Sequence, residues 1–214
     1  MKHWRLALRL LKRDGRAGEL SLLVSALLIA VASTTTIALF ADRLQRTLTL
    51  QAAEFLAGDL VIASPHPLDA SWLEQAKAHD IKGSHTTEFS TVLLEHDHML
   101  LASIKAVSEH YPLRGFLKTQ TADLVDEIHT TQGPAPGTAW VERRVLSALA
   151  LRLGDNLTVG EKPLTITRIL TYEADKRGDF YSFSPRVMIH DADLQATGVI
   201  QPGSHVHHFY QFIG

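Results

Sequence analysis

Residues 20–41 read LSLLVSALLIAVASTTTIALFA, and none of these 22 residues is charged. An α-helix rises about 1.5 Å per residue, so the segment would span about 33 Å, enough to cross a hydrocarbon core of about 30 Å. We therefore predict a transmembrane helix over residues 20–41. This helix organises the rest of the chain, because it separates a short N-terminal segment from a long C-terminal one.

Two other interpretations of this segment stay open. The pattern Ala-Val-Ala at residues 30–32 is typical of a signal-peptide cleavage site, although the apolar stretch is longer than an ordinary h-region of about 7–15 residues. A buried core helix is the second alternative, but such a helix rarely runs this long without one polar face. A membrane-spanning helix accounts for both the length and the missing polar face.

Charges are distributed unequally on the two sides of the helix. Residues 1–19 carry six Lys and Arg against two acidic side chains, whereas the remaining chain has 15 Lys and Arg against 21 Asp and Glu. Cytoplasmic flanks of membrane helices are enriched in Lys and Arg. We therefore expect residues 1–19 to form a cytoplasmic amphipathic segment and the chain beyond residue 41 to lie on the far side of the membrane.

Beyond the membrane, residues 42–57 contain neither Gly nor Pro and predict a helical stalk that ends at Gly58. Residues 58–214 then mix strand and helix patterns, which predicts one α+β extracytoplasmic domain. The predicted strands are 59–63, 85–94, 98–107, 139–141, 156–159, 164–170, 186–190 and 205–212. The predicted helices are 69–78, 142–151, which we expect to end at Gly154, and 191–197.

Several chemistries are excluded or disfavoured. The chain has no cysteine, which excludes disulfides, thiol nucleophiles and cysteine-held metals. The segment nearest to a phosphate-binding loop, residues 154–162, has one residue too many and Glu where Lys is required. A pI of about 6.6 argues against nucleic acid as a partner. We expect no enzymatic activity and no cofactor, with a membrane-tethered hydrolase left as an alternative.

Histidine is abundant, with twelve copies. Residues at i and i+2 of a strand point the same way, so a metal site is conceivable where histidines alternate. Solvated histidines on strand faces explain the spacing better, and we predict no metal site. The histidines concerned are His96, His98, His205, His207 and His208.

Two glycine-interrupted loops combine aromatic and basic side chains, residues 111–116 and residues 176–183. Exposed loops of this composition are where an assembling protein meets a partner. Packing of the same side chains onto the domain is the alternative, and the sequence does not decide between the two. The candidate partner-contact residues are Tyr111, Arg114, Phe116, Phe180, Tyr181 and Phe183.

Seven short motifs, in this order, resemble the N-terminal part of FtsX-like ABC transporter permeases of the MacB and LolC/E type, most closely the YbbP-like branch. They are residues 11–20, 40–43, 58–61, 111–115, 153–155, 183–186 and 203–206. The resemblance implies a permease of the bacterial inner membrane, with a MacB-like periplasmic core domain between its first and second membrane helices. It also implies a cytoplasmic ATP-binding subunit as a partner.

The same resemblance implies that ATP hydrolysis by that partner moves the periplasmic domain, for export or extraction of a hydrophobic or lipid-linked substrate. Further permease helices or a second permease copy, and membrane lipid, are the other expected partners. A single-span anchored periplasmic binding or adaptor protein is the alternative. Because Gly214 falls where the second membrane helix is expected, we expect a fragment, an engineered piece or a truncated gene product.

Overall fold

The structure is a computed structural model that describes residues 19–55, 57–69, 71–121, 126–176, 183–201 and 203–214. The chain divides into two compact units, residues 1–50 and residues 51–214. Each unit is described by itself below.

The first unit contains most of helix α1, Glu19–Phe55, which is 37 residues long and continues into the second unit without interruption. Ser21–Thr47 has a mean hydropathy of 2.2 and is exposed along its most apolar window, and it is the one helix among the described residues long and apolar enough to cross a membrane. The hydroxyls of Thr34 and Thr36 donate to the carbonyls of Ala30 and Ala32, at 3.0 and 2.7 Å. These polar groups are therefore satisfied within the helix, as an apolar solvent requires.

The second unit is a mixed α/β domain, so the predicted fold class is confirmed. Its strands are β1 Leu60–Ser64, β2 Lys82–Glu95, β3 His98–Val107, β4 Leu117–Gln120, β5 Ile128–Thr130, β6 Thr138–Val141, β7 Asn156–Val159, β8 Lys162–Glu173, β9 Arg186–His190 and β10 Val206–Ile213. Its helices are α2 Ser71–Ala78, α3 Arg143–Leu149 and α4 Asp191–Leu194, followed by a 3-10 turn at Gln195–Thr197.

These ten described strands form one sheet in the order β1-β10-β2-β3-β9-β6-β8-β4-β5, with β7 paired to β8. The pairs β3–β9 and β6–β8 are parallel and the other pairs are antiparallel. Side chains alternate between the two faces. Along β3, Ala102, Ile104 and Ala106 enter the main apolar core with α3, whereas Val107 belongs to a second apolar cluster.

The backbone that follows α1 is paired with the last strand of the domain. Gly58 leaves little room for a side chain, since an added Cβ would lie 3.1 Å from Gln211 Cβ and 3.3 Å from the carbonyl oxygen of Phe212. The amide of Asp59 donates to that same carbonyl at 2.9 Å. Residues 58 and 59 are therefore fixed to the sheet edge before β1 begins.

Two details of the predicted domain are wrong. Helix α3 ends at Leu149 rather than continuing to 151, because Ala150 adopts a left-handed conformation (φ 54°) and its amide donates to the carbonyl of Leu146. Strands β4 and β5 were not predicted.

Candidate functional site

The loop of residues 108–116, here the junction loop, holds the backbone that follows α1. The amide of Arg114 donates to the carbonyl of the buried Ala57 at 3.2 Å. The Arg114 guanidinium donates twice to Asp59, at 2.6 and 2.8 Å, in the bidentate geometry that gives such pairs directional specificity. These hydrogen bonds hold the pKa of the Asp59 carboxyl below its ordinary value.

Tyr111 anchors the junction loop in the interior of the domain. Its side chain is fully buried and packs in the second apolar cluster with Val107, Trp140 and Met188. The phenol oxygen accepts a hydrogen bond from Lys105 Nζ at 2.9 Å, and the hydroxyl donates to Asp175. The loop is thus attached at one side to the residues after α1 and at the other to the middle of the sheet.

Tyr111 touches a buried group of charged side chains, here the ion network, consisting of Glu88, Lys105, Glu173, Asp175 and Arg186. Lys105 Nζ lies 2.5 Å from Glu173, 2.8 Å from Asp175 and 3.4 Å from Glu88. Arg186 lies 3.1 Å from Glu173 and 3.3 Å from Glu88. Each carboxylate is paired with a cation, so the arrangement holds charges in place rather than exposing a nucleophile.

Strand register explains how these side chains meet. Glu88 is directly opposite Lys105 in the β2–β3 pair, and Ser103 is opposite Arg186 in the β3–β9 pair. Ser103 and Lys105 are two residues apart on β3 and share a face, and Arg186 donates to the Ser103 hydroxyl at 2.8 Å. The end of β8 adds Glu173. Four strands therefore converge on one buried charged group.

Burial and ion pairing act in opposite directions on the two carboxyls nearest Lys105. Burial favours the neutral form of Glu173, but Lys105 and Arg186 outweigh it and lower the pKa of Glu173 to about 2. Burial raises the pKa of Asp175, and although Lys105 opposes this, the neighbouring Glu173 charge adds to it. For Lys105, the charges of Asp175 and Glu173 outweigh burial and raise its pKa, so the ammonium stays charged.

The predicted partner-contact residues do not form one exposed surface. The ring of Tyr111, one of these candidates, lies in the interior, where its hydroxyl contacts Lys105 and Asp175. Phe116 is half-buried and stacks on His129, with ring centroids 4.8 Å apart. Phe183 is 76% exposed, and Phe180 and Tyr181 lie outside the described residues. A partner contact through Arg114, Phe116 or Phe183 stays a prediction.

Several of the described histidines contact other side chains of the domain. His208 Nδ1 lies 3.2 Å from the Thr87 hydroxyl, and His85 Nε2 lies 3.1 Å from Asp191. The rings of His205 and His207 are 5.9 Å apart. Within the described ranges, no three His, Asp or Glu side chains are placed to hold a metal ion together.

Sequence reasoning missed the ion network. One signal was available, since Lys105 interrupts an otherwise small and apolar stretch of β3, residues 102–107. A lysine in a central strand with apolar neighbours needs a buried acidic partner. Two of its partners, Glu173 and Asp175, are 68 and 70 residues away in the chain, so the sequence does not indicate these two acids.

A sequence comparison relates the chain to a transport protein. It is 32% identical over 202 residues to YbbP of Escherichia coli strain K12, described as an ABC transporter permease. The aligned part covers 94% of this chain and 24% of YbbP, so the chain spans about a quarter of the length of that relative. No protein-family model matches the chain.

Two solved structures resemble the fold more distantly. The extracellular domain of the noncanonic ABC-type transporter YknZ from Gram-positive bacteria matches with a TM-score of 0.47 and 11% identity, over 70% of this chain and 80% of that one. The periplasmic region of MacB from Actinobacillus actinomycetemcomitans matches with a TM-score of 0.44 and 11% identity, over 74% of this chain and 76% of that one.

Proposed function

The chain is related to the ABC transporter permeases, as its motifs predicted, and we propose from this kinship that it passes movement of a membrane helix to an extracytoplasmic domain. In this proposal α1 crosses the bacterial inner membrane with residues 1–19 in the cytoplasm. Residues 58–214 then lie in the periplasm. The cytoplasmic ATP-binding subunit of the transporter supplies the energy, since the sequence of this chain lacks a phosphate-binding loop.

The observation that carries the proposal is the attachment at the end of α1. The helix continues without a break to Phe55, and within the next four residues the chain is held by the junction loop and by β10. Arg114 makes three hydrogen bonds to Ala57 and Asp59. In this proposal, a displacement of the residues that follow the helix is opposed by the junction loop and by β10, to which they are hydrogen-bonded.

The substrate class is carried over from the family resemblance alone. A hydrophobic or lipid-linked compound fits a permease whose moving part stands outside the membrane. Neighbouring permease helices, a second permease copy and membrane lipid are the other proposed partners. We propose no catalytic role for the chain, because the buried carboxylates of the ion network are all paired.

A linker insertion tests the mechanical role. Seven Gly and Ser residues inserted after Thr49 of the full-length permease should abolish transport-dependent growth, because a flexible chain transmits no torque. The matched control inserts seven Ala, Glu and Lys residues at the same place. Those residues form about two helical turns and so preserve both stiffness and the rotational phase of the helix.

Membrane insertion, domain folding and binding of the ATPase subunit should be equal in the two insertion variants. If the Gly-Ser variant transports as well as the helical one, the helix is only a tether. The chain would then be a passive anchored binding or adaptor domain, and the mechanical proposal would be wrong.

A charge exchange tests the attachment itself. Arg114→Asp should reduce transport, because two carboxylates would face each other where a bidentate pair stood. Adding Asp59→Arg to that variant should restore transport. A double variant that stays as inactive as Arg114→Asp would show that the pair is not what links helix and domain.

A further inference from the structure

The β2–β3 hairpin carries a group of four exposed aliphatic side chains, here the hairpin patch. Val92 is opposite Leu101 and Leu94 is opposite Met99, so the four form two cross-strand pairs. Side chains at i and i+2 of a strand point the same way, and both pairs therefore lie side by side on one face of the sheet. The residues are 55%, 60%, 72% and 55% exposed for Val92, Leu94, Met99 and Leu101.

The opposite face of the hairpin fixes this exposure. Leu93 lies between two members of the patch and is fully buried in the main apolar core, against which Leu100 of the other strand also packs. A shift of β2 by one residue would exchange its two faces, so burial of Leu93 keeps its neighbours outside. A water-facing side of an antiparallel sheet normally carries polar side chains, and a contiguous apolar group there marks a contact site.

Polar residues bound the hairpin patch at both ends of the strands. Toward the middle of the sheet the next pair is Ser90 opposite Ser103. Toward the tip the strands close through a turn at His96 and Asp97. The apolar contact is therefore confined to the width of two strands and the length of two cross-strand pairs.

The size of the patch argues against a second protein molecule as its occupant. A stable protein interface uses about 20–30 residues on each side and about ten hydrogen bonds. The hairpin patch offers four residues, and none of their side chains is a strong hydrogen-bond donor or acceptor. An acyl chain needs no hydrogen bonds, because its methylene groups gain free energy by leaving water.

Charge argues against a bilayer surface as the occupant. Residues 90–103 contain Glu95 and Asp97 but no Lys or Arg. Protein surfaces that bind membranes combine apolar with basic side chains, because the lipid headgroups carry negative charge. The hairpin lacks these basic side chains and adds acidic ones.

We propose that the hairpin patch binds one acyl chain of a lipid-linked molecule that has left the bilayer. The acyl chain lies against the two cross-strand pairs, and the polar part of the molecule stays in water. This inference deepens the proposed function and rests on it for the presence of a hydrophobic or lipid-linked compound at the domain. Acyl-chain binding is measured without transport, so its failure is distinguishable from a failure of the linker insertion.

Methionine methyl signals in the NMR spectrum of the full chain in lipid nanodiscs test the binding. The chain has three methionines, of which Met99 lies in the patch and Met188 is buried in the second apolar cluster. Dihexanoyl phosphatidylcholine, kept below its critical micelle concentration, should shift the Met99 signal and leave the Met188 signal in place. Shortening each acyl chain by one methylene should weaken binding by about threefold to fourfold, the factor for burial of one methylene. Glycerophosphocholine, which has no acyl chain, should shift neither signal, and an equal Met99 shift with it would overturn the proposal.

A pair of matched variants separates the patch from exposed leucines in general. Leu94→Thr should weaken binding by about tenfold, because it removes apolar contact and requires a hydroxyl to leave water. The control Leu60→Thr changes a leucine of similar exposure, 57%, in β1 and should bind as the wild type does. Threonine suits a strand, and an unchanged Met188 signal verifies that each variant is folded. Equal affinities of the two folded variants would overturn the proposal.

Three other results would also overturn it. A Met99 shift caused by raising the protein concentration alone would identify a second copy of the chain as the occupant. Broadening of the Met99 signal by nitroxide-labelled lipid in the nanodisc would identify the bilayer as the occupant. Absence of a Met99 shift up to the critical micelle concentration would show that the patch binds no acyl chain.

Discussion

Removing the Lys105 ammonium should destabilise the domain more than any surface ion-pair change. Lys105→Met keeps a long unbranched side chain but deletes the positive charge that contacts Glu88, Glu173 and Asp175. Arg186 alone then faces the three carboxyls. Breaking a buried ion pair by removing one partner costs about 3–5 kcal/mol, because the remaining charge is neither hydrated nor paired.

A loss of about 3–5 kcal/mol is a large part of the free energy of unfolding of a domain. The free energy of unfolding of a domain is about 5–15 kcal/mol. If this free energy falls by about 2 kcal/mol per M urea, a loss of about 3–5 kcal/mol lowers the urea midpoint by roughly 2 M. The shift should be smaller at pH 5 than at pH 7, since protonation of the unpaired carboxyls relieves part of the repulsion. The double variant Lys105→Met, Glu173→Gln should lose less free energy of unfolding than the two single variants lose together, because the two residues are in contact.

Urea unfolding of the full chain in detergent, followed by tryptophan fluorescence, measures the shift. Trp140 is 4% exposed and packs in the same apolar cluster as Tyr111, so it reports on this face of the sheet. The matched control is Lys118→Met, which removes a partly exposed ion pair to Glu127 and should leave the midpoint nearly unchanged. Equal midpoints for Lys105→Met and Lys118→Met would refute the reasoning that the network is buried and paired.

Three further predictions concern backbone, pH and topology. Gly160→Ala should lower the unfolding midpoint far more than Gly137→Ala. An added Cβ at Gly160 would lie 2.0 Å from the Thr197 carbonyl oxygen, whereas nothing lies within 4 Å of one at Gly137. Equal midpoints of the two variants would contradict this prediction. The pKa of Glu173 is lowered to about 2 from 4.5, so its stabilisation is present above pH 4.5 and is lost as the pH falls towards 2. Urea midpoints between pH 5 and pH 2 should therefore fall in the wild type and stay flatter in Glu173→Gln, and parallel profiles would oppose the ion pairing. A reporter enzyme active only outside the cytoplasm should be active when fused after Gly214, and activity of a cytoplasm-only reporter there would reverse the topology.

The parts of the fold that the sequence predicted are those with a long local pattern. The uncharged run of residues 20–41 and the Gly- and Pro-free residues that follow predicted a helix, and α1 runs to Phe55. The alternating stretches around His96 and Asp97 predicted a hairpin, and β2 and β3 form it with a turn at those two residues. In each case the evidence lies within one continuous stretch of the chain, as with helix periodicity and strand alternation generally.

Long-range pairing was not predictable in the same way. The ion network joins residues from β2, β3, β9 and the end of β8, and the hydrogen bond from Arg186 to Ser103 links residues 83 positions apart. Their meeting depends on strand order and register, which the sequence alone does not specify. The same holds for Tyr111, because the composition of its loop left exposure and packing onto the domain open, whereas the side chain is buried and contacts Lys105 and Asp175.

The placement of charge in the interior bears on how the domain could work. An apolar cluster of the same size would be about as stable, since replacing buried ion pairs by well-packed apolar groups is often neutral or stabilising. Unlike apolar contacts, hydrogen-bonded ion pairs are directional, because Lys105 and Arg186 each donate to particular acceptor atoms. A small shift of Tyr111 would break a hydrogen bond rather than slide over a smooth surface. A loop attached by such directional contacts is the kind of two-state contact that the proposed mechanical role requires.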